Sequence, residues 1–360
     1  MTVETLSVER VAVPHAITDA EARDFVDMIE VFNRGVEYDI GLDHLRWEPT
    51  EMLPSWLDQR YIARGGHLVR RNGEPVGALQ WSMSREDGAR NLEFDLLTAP
   101  EGRGHGVEEL LMRRLIDDAR EAGRTSLQTF SLHRVDAPGE RLDAPTGFGS
   151  VPRDEWSRFF LDHGFVLQQV ERNSAFDLRG SLADVRRMLD EALAHAGADY
   201  RVVTWTGATP EEHREAYAYI LSRMSTDVPM GDLDLPEETW DVERVVHRDR
   251  RLAAGGLLIA VAAVEHIPTG RLVAYNELGI GEDRTRPTNQ WGTLVVTEHR
   301  GRRLGTIVKC ANLLRWAELV PTSPFVSTFN AEENRPMLDV NEAIGFAPLT
   351  VAGAWQRVLE

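Results

Sequence analysis

Pro100-Glu101-Gly102-Arg103-Gly104-His105-Gly106 decides how the chain reads, because much of it returns as Glu298-His299-Arg300-Gly301-Arg302-Arg303. Arg103 and Arg300 stand 197 positions apart, and the same offset relates Gly73, in the stretch 72–78, to Gly270, in the stretch 269–275. Two turns and two arginines therefore keep one spacing in each half, the mark of an internal duplication. A looser pair agrees. Thr18 with Glu21, and Thr209 with Glu212, each fit a capping box ahead of an amphipathic stretch. Gly164-Phe165 and Gly345-Phe346 are 181 apart, so the first half carries 16 extra residues beyond its arginine loop. The Gly-, Pro- and Asp-rich segment 134–153 reads as the insertion loop that holds them.

Working outward, both halves predict one order of elements. A strand (8–13; 200–205) leads into a helix. A hairpin follows, 67–71 with 76–83 across Asn72-Gly73, and 257–264 with 272–278 across Thr269-Gly270. Asn-Gly between apolar runs is a strong hairpin signal. Then come a strand (92–97; 293–296), the arginine loop, a helix (107–122; 304–319), a strand (126–131; 325–329) and a second helix (154–163; 334–344). Leu182, Val185, Leu189 and Leu193 recur at helical spacing and predict a connecting helix. The expected organisation is one domain over 1–180, a connecting helix over 181–197 and a second domain over 198–360.

Composition agrees with two compact units, since 360 residues exceed one ordinary domain. Hydrophobic residues make up 42% and charged residues 27%, which excludes wholesale disorder. The net charge of −18 disfavours nucleic-acid or anionic-membrane partners, which need a basic surface. The single cysteine, Cys310, excludes an internal disulfide and a multi-cysteine metal site, and its apolar setting predicts an inert core thiol. No basic segment followed by an apolar run opens the chain, and the apolar run 257–264 is far too short to span a bilayer. The expectation is a reduced, soluble, cytoplasmic protein.

A strand feeding a Gly- and Arg-rich loop feeding a helix is a phosphate-binding arrangement, because loop and helix N-terminal amides converge on an anion. Neither loop is a Walker motif or a dinucleotide fingerprint. The motif set resembles the GCN5-related N-acetyltransferase family, whose loop reads Gln/Arg-x-x-Gly-x-Gly/Ala and holds the coenzyme A pyrophosphate. With the hairpin and Gly-Phe, the resemblance spans nearly the whole chain. It implies an α/β (α+β) fold of two such domains, each a mixed, mostly antiparallel sheet flanked by helices. It further implies acetyl-CoA as co-substrate, no metal, and a small-molecule amine acceptor bound by a monomer or homodimer.

Carried over residue by residue, the resemblance assigns the acyl and pantetheine arm to the amides of Thr293, Leu294 and Val295, and of Leu96, Leu97 and Thr98 in the first half. It assigns the pyrophosphate to Arg300, Gly301, Arg302, Arg303, Leu304 and Gly305, and to Arg103, Gly104, His105 and Gly106. Each loop departs once from the pattern. Glu108 brings a carboxylate toward the anion. Arg303 brings a guanidinium, but its Cβ resists positive φ. The family's Asn is kept as Asn334, against Arg153 in the first half. The second half is therefore the favoured cofactor site.

The family's usual acid, a Tyr, is replaced by Asn341 and by Phe160, and Asn donates no proton as an acid. Glu277 is the base candidate on the neighbouring hairpin strand, with Tyr275 on the same face; a solvated strand residue is the plainer alternative. Glu93 and Asp95 share a face of the first pre-loop strand, as acid/base groups or cation recognition, or merely as an exposed sheet face. Trp56, Trp81 and Trp240 are candidates to line an acceptor pocket or simply core. The acidic segment 225–240, with Asp227, Asp232, Asp234, Glu237 and Glu238, suits an amine-bearing substrate. No further ligands stand at metal spacing around His105 or His299. Two rivals remain: an aminoacyl or longer-chain acyltransferase on the same doubled fold, and a non-catalytic acyl-CoA sensor or scaffold.

Overall fold

The computed structural model describes residues 5–228, 233 and 237–360; Asp232 and Asp234 of the acidic segment lie outside them. The described residues fall mainly in two compact units, 5–171 with Thr350–Glu360, and 172–228 with Glu237–Leu349. Unit 1 contains β1 (Leu6–Arg10), α1 (Arg23–Ile40), α2 (Pro49–Leu57), β2 (Ile62–Arg71), β3 (Glu74–Ser84), β4 (Asn91–Thr98), α3 (Val107–Glu121) and β5 (Ser126–Arg134). The insertion 134–153 folds into a small ribbon, β6 (Arg141–Asp143) with β7 (Ser150–Pro152), before α4 (Glu155–Asp162) and the start of β8 (Val166–Asp177). Unit 2 takes the rest of β8, then α5 (Ala183–Ala196), β9 (Tyr200–Thr206), α6 (Arg214–Ser222), α7 (Met224–Asp227) and α8 (Val242–Ala254). It continues with β10 (Leu258–His266), β11 (Arg271–Ile280), β12 (Thr288–Val295), α9 (Leu304–Leu319), β13 (Phe325–Ala331) and α10 (Arg335–Ile344). The last strand, β14 (Ala347–Val358), gives Thr350–Val358 to unit 1, paired antiparallel with β5.

Each unit is a mixed, mostly antiparallel sheet flanked by helices. Strand order is β1-β2-β3-β4-β5-β14 in unit 1 and β13-β12-β11-β10-β9 in unit 2. The first hairpin closes as its sequence demands, with Asn72 at φ 52° and Gly73 at φ 89°, both left-handed. In each unit one strand pair is parallel and short. β4 pairs with β5 only over Asn91–Glu93, and β12 with β13 only at Thr288 and Asn289. Beyond those residues the strands part, and each parting opens toward the arginine loop at the end of β4 or β12.

Three expectations need correction. The Thr18 and Thr209 capping boxes do not form. Asp19 stands before a 3-10 turn (Ala20–Ala22) instead, and the Thr209 N–H donates to Asp249 Oδ2 at 2.7 Å. A reciprocal cap does occur at Glu48 and Glu51, ahead of α2, which the sequence reading missed along with α8. Arg303 adopts φ 58°, ψ 22° despite its Cβ, matching Gly106 at φ 75°, ψ 18°. Both loops thus enter their helices through a left-handed residue, whichever side chain stands there. Arg303→Gly is expected to stabilise the fold by about 0.5–1 kcal/mol, read as a higher urea midpoint. A lower midpoint would mean that the left-handed turn carries no strain.

Candidate active site

Alternation along β4 sends Leu92, Phe94 and Leu96 into the core and leaves Glu93 and Asp95 on the opposite, exposed face. There they line a cavity of about 160 Å³, walled by Met52 and Trp56 of α2, Arg64 of β2 and Trp81 of β3. Two glycines on β2 make room for the indoles. A Cβ at Gly65 would lie 2.3 Å from the Trp81 ring, and one at Gly66 would lie 3.1 Å from that of Trp56. Trp56 therefore serves core and pocket together, the Trp81 indole packs on the opposite face of the sheet with its Nε1 donating to Asp118 Oδ2 at 2.6 Å, and Trp240 packs in unit 2. Gln80 Nε2 donates to Asp95 Oδ2 at 2.6 Å. The Asp95 carboxylate meets water yet is hemmed in by protein, and that crowding raises its pKa above the usual value despite the Gln80 hydrogen bond. A carboxylate raised toward neutrality, in a cleft, fits a general base.

The unit 1 loop has the backbone of an anion site and the wrong charges around it. Arg103 donates to Asp39 at 2.6 Å and to the Thr98 carbonyl, and it lies over the Tyr38 and Trp156 rings. Trp156 Nε1 donates to the same Asp39, whose pKa burial raises to about 6. The cavity beside Gly104 and Gly106 is rimmed by Glu108, Glu109 and Glu155, with Glu108 pushed up by burial. His105 is exposed. Leu96 and Thr98 are buried and Leu97 half-buried along the parting edge of β4.

Unit 2 differs in the reverse sense. Arg300 donates to the Val295 and Asp227 carbonyls, so it braces the loop and does not face an anion. Gly301, Arg302 and Arg303 are exposed, and Leu304 and Gly305 begin the buried helix face. Arg302 lies over Tyr200, and Arg303 makes no ion pair among the described residues. Two arginines thus immediately precede the first turn of α9, whose N-terminal amides lack partners within the helix. Thr293, Leu294 and Val295 line the edge of β12, where the Thr293 hydroxyl accepts from Asn276 at 2.9 Å.

The base candidate of that half is not available. Glu277 is buried, accepts from Tyr217 at 2.5 Å and pairs with Arg248 at 2.8 Å. Tyr275 is buried with its hydroxyl against Gly292, and burial drives its pKa far up. Asn341 is buried, donates to Asn330 at 2.6 Å, and its Oδ1 has no partner among the described residues. Asn334 caps α10 through its backbone. The structure therefore gathers Glu93 and Asp95 into a cleft and locks Glu277 away.

Sequence reasoning missed Arg64, Gln80 and Asp39, which carry no motif of their own. It also missed a buried chain in unit 1. Trp355 Nε1 donates to Ser131 Oγ at 2.8 Å, Ser131 Oγ meets His133 Nε2 at 2.6 Å, and His133 Nδ1 meets Asp154 at 2.6 Å. Ser131 and His133 are closed to solvent, so this chain ties β14, β5 and α4 together.

Residues 33–136 match the model of the acetyltransferase (GNAT) family. No curated protein sequence matches the chain. Among solved structures, a tandem GNAT protein from the clavulanic acid biosynthesis pathway is similar at 24% identity and a TM-score of 0.71, over 98% of both chains. A GCN5-related N-acetyltransferase from Sphaerobacter thermophilus is similar at 13% identity and a TM-score of 0.60, over 98% of this chain and 95% of that one. A putative acetyltransferase from Pyrococcus horikoshii follows at 11% and 0.52, over 99% and 90%. Residues 33–136 thus match the GNAT family of acyltransferases, and the fold of the whole chain resembles that of a tandem GNAT protein.

Proposed function

We propose that the chain moves an acetyl group from acetyl-CoA to a primary amine of a small molecule by direct transfer, in the cleft of unit 1. The observation that carries this reading is Asp95, a water-accessible carboxylate of raised pKa beside Glu93, at the point where β4 and β5 part. The thioester arm runs along Leu96, Leu97 and Thr98, with the pyrophosphate at the amides of 103–106. Asp95 takes a proton from the ammonium, the freed amine attacks the thioester carbonyl carbon, the C–S bond breaks as the nitrogen loses its second proton to solvent, and solvent protonates the leaving thiolate. Phe160 offers no acid at the position the family fills with Tyr.

Unit 2 supports a second role. Its loop carries exposed Arg302 and Arg303, while Glu277 is tied up by Arg248 and Tyr217. That combination suits tight acyl-CoA binding without transfer. Titration calorimetry with acetyl-CoA is expected to resolve two classes of site. Arg302→Ala with Arg303→Ala should weaken the tighter one by about tenfold or more. An unchanged isotherm would remove unit 2 from acyl-CoA binding.

Release of free coenzyme A, followed with a panel of polyamines, aminoglycosides and amino-acid amines, tests the activity. Amine-dependent release supports it. Thermal stabilisation by acetyl-CoA with no amine ever acetylated would leave a sensor.

A further inference from the structure

Tyr200 of β9 is the hub of a side-chain cluster that the acyl arm of unit 2 does not use. It stands directly opposite His266 of β10, and the two rings lie 5.2 Å apart. Its hydroxyl meets His299 Nδ1 at 2.9 Å, and the His266 and His299 rings are 4.8 Å apart. The Arg302 guanidinium lies 5.6 Å from the centre of the Tyr200 ring. His195 of α5 approaches the same loop, with Nε2 3.4 Å from the Gly301 carbonyl oxygen. Three imidazoles and a guanidinium thus gather on a protein of net charge −18, and no carboxylate pairs with any of them among the described residues. Glu298 pulls on His299 through space, but Arg223 stands 3.8 Å from it. The Thr269 hydroxyl takes up His266 Nδ1 at 2.9 Å, as Tyr200 takes up that of His299, so both rings keep Nε2 for another partner. His266 and His299 are half-buried and Arg302 is exposed, which leaves the cluster open to solvent. Partial burial, His266 and Arg302 together hold the His299 pKa below its usual value. An anion relieves that crowding of like charge.

We propose that this cluster is a phosphate-monoester site beside the unit 2 loop, with His266 Nε2, His299 Nε2 and Arg302 as its donors. Imidazolium and guanidinium both make charge-assisted hydrogen bonds to phosphate oxygens. Coenzyme A carries such a group in its 3′-phosphate, apart from the pyrophosphate assigned to residues 301–305. A separate phosphorylated ligand is the other source. The coenzyme A source rests on the reading of unit 2 as an acyl-CoA site; the phosphate site itself does not. A bound phosphate favours the protonated imidazoles, so binding takes up protons and affinity rises as pH falls through the histidine range.

Titration calorimetry on the full chain compares acetyl-CoA, acetyl-dephospho-CoA and inorganic phosphate at about pH 6 and about pH 8. At the lower pH, acetyl-CoA is expected to bind the tighter class of site about tenfold or more better than the dephospho form. That lead should shrink to less than about threefold at the higher pH, and also at the lower pH in the variant carrying His266→Ala and His299→Ala. His266→Ala alone leaves the Tyr200–His299 hydrogen bond in place and should move the lead the same way, while thermal unfolding confirms both folds. Inorganic phosphate bound by the wild type and lost in the double variant, with the two coenzyme A forms held alike, would keep the site and assign it to a separate ligand. Should acyl-CoA prove absent from unit 2, the phosphate titration alone decides. Both coenzyme A forms held alike at both pH values, with phosphate binding absent or unmoved by the variants, would overturn the site and leave the acyl-CoA reading of unit 2 standing.

Discussion

Asp95→Asn is expected to lower kcat/KM for acetyl transfer by about 10²- to 10³-fold, the usual contribution of a positioned general base. The mechanism lies in the free form of the base. Protein crowding around this water-accessible carboxylate raises the Asp95 pKa. In the wild type the rate should therefore climb with pH through a value above the ordinary carboxylate range, because only the ionised form accepts the ammonium proton. In the variant that acid limb should disappear. The same crowding makes the charge less favourable in the folded state, so the variant's melting temperature should not fall. Loss of rate together with loss of stability would point to a structural role. A rate within threefold of wild type would remove Asp95 from the chemistry.

Lys309→Met is expected to stabilise the protein by a few kcal/mol. Lys309 is the chain's one lysine, fully buried on α9, with Nζ over the Phe346 ring and no hydrogen-bond partner among the described residues. Burial lowers its pKa from 10.5 to about 7. Between those values the unfolded chain holds a proton that the folded chain does not. Stability therefore falls as pH drops from about 10 to about 7, and the full penalty, on the order of 4 kcal/mol, persists below. Methionine fills a similar volume without the amine. Urea unfolding at several pH values checks this: the variant should be more stable at pH 7 and should lack that part of the slope. A less stable variant, or an unchanged slope, would show that the amine is satisfied. Neighbouring Cys310 is buried and pushed up to about 12, as an inert core thiol should be.

Much of this was legible because it rests on local chemistry. Asn72-Gly73 can close a hairpin only one way, and the apolar spacing over 304–319 matches α9 residue for residue. The paired loops were visible as a repeat, and their shared backbone follows from how a strand must turn into a helix. What the sequence could not show depends on distant partners. Glu277 looks like any strand carboxylate until α6 and α8 bring Tyr217 and Arg248 over it. Arg103 looks like a phosphate ligand until Asp39 and Trp156 close on it. The pairing of Thr350–Val358 with β5 joins strands more than 200 residues apart, and no short-range pattern records it. Arg64 belongs to the cleft only because β3 sets Ser82 between it and Glu93.

A structure determined with acetyl-CoA tests the central claim most directly. The acetyl group is expected to lie where β4 and β5 part, along Leu96–Thr98 and facing the Asp95 side of the sheet, with any second molecule held at 301–305. Acetyl-CoA found only along Thr293–Val295, with the unit 1 cleft unfilled at saturating ligand, would contradict it.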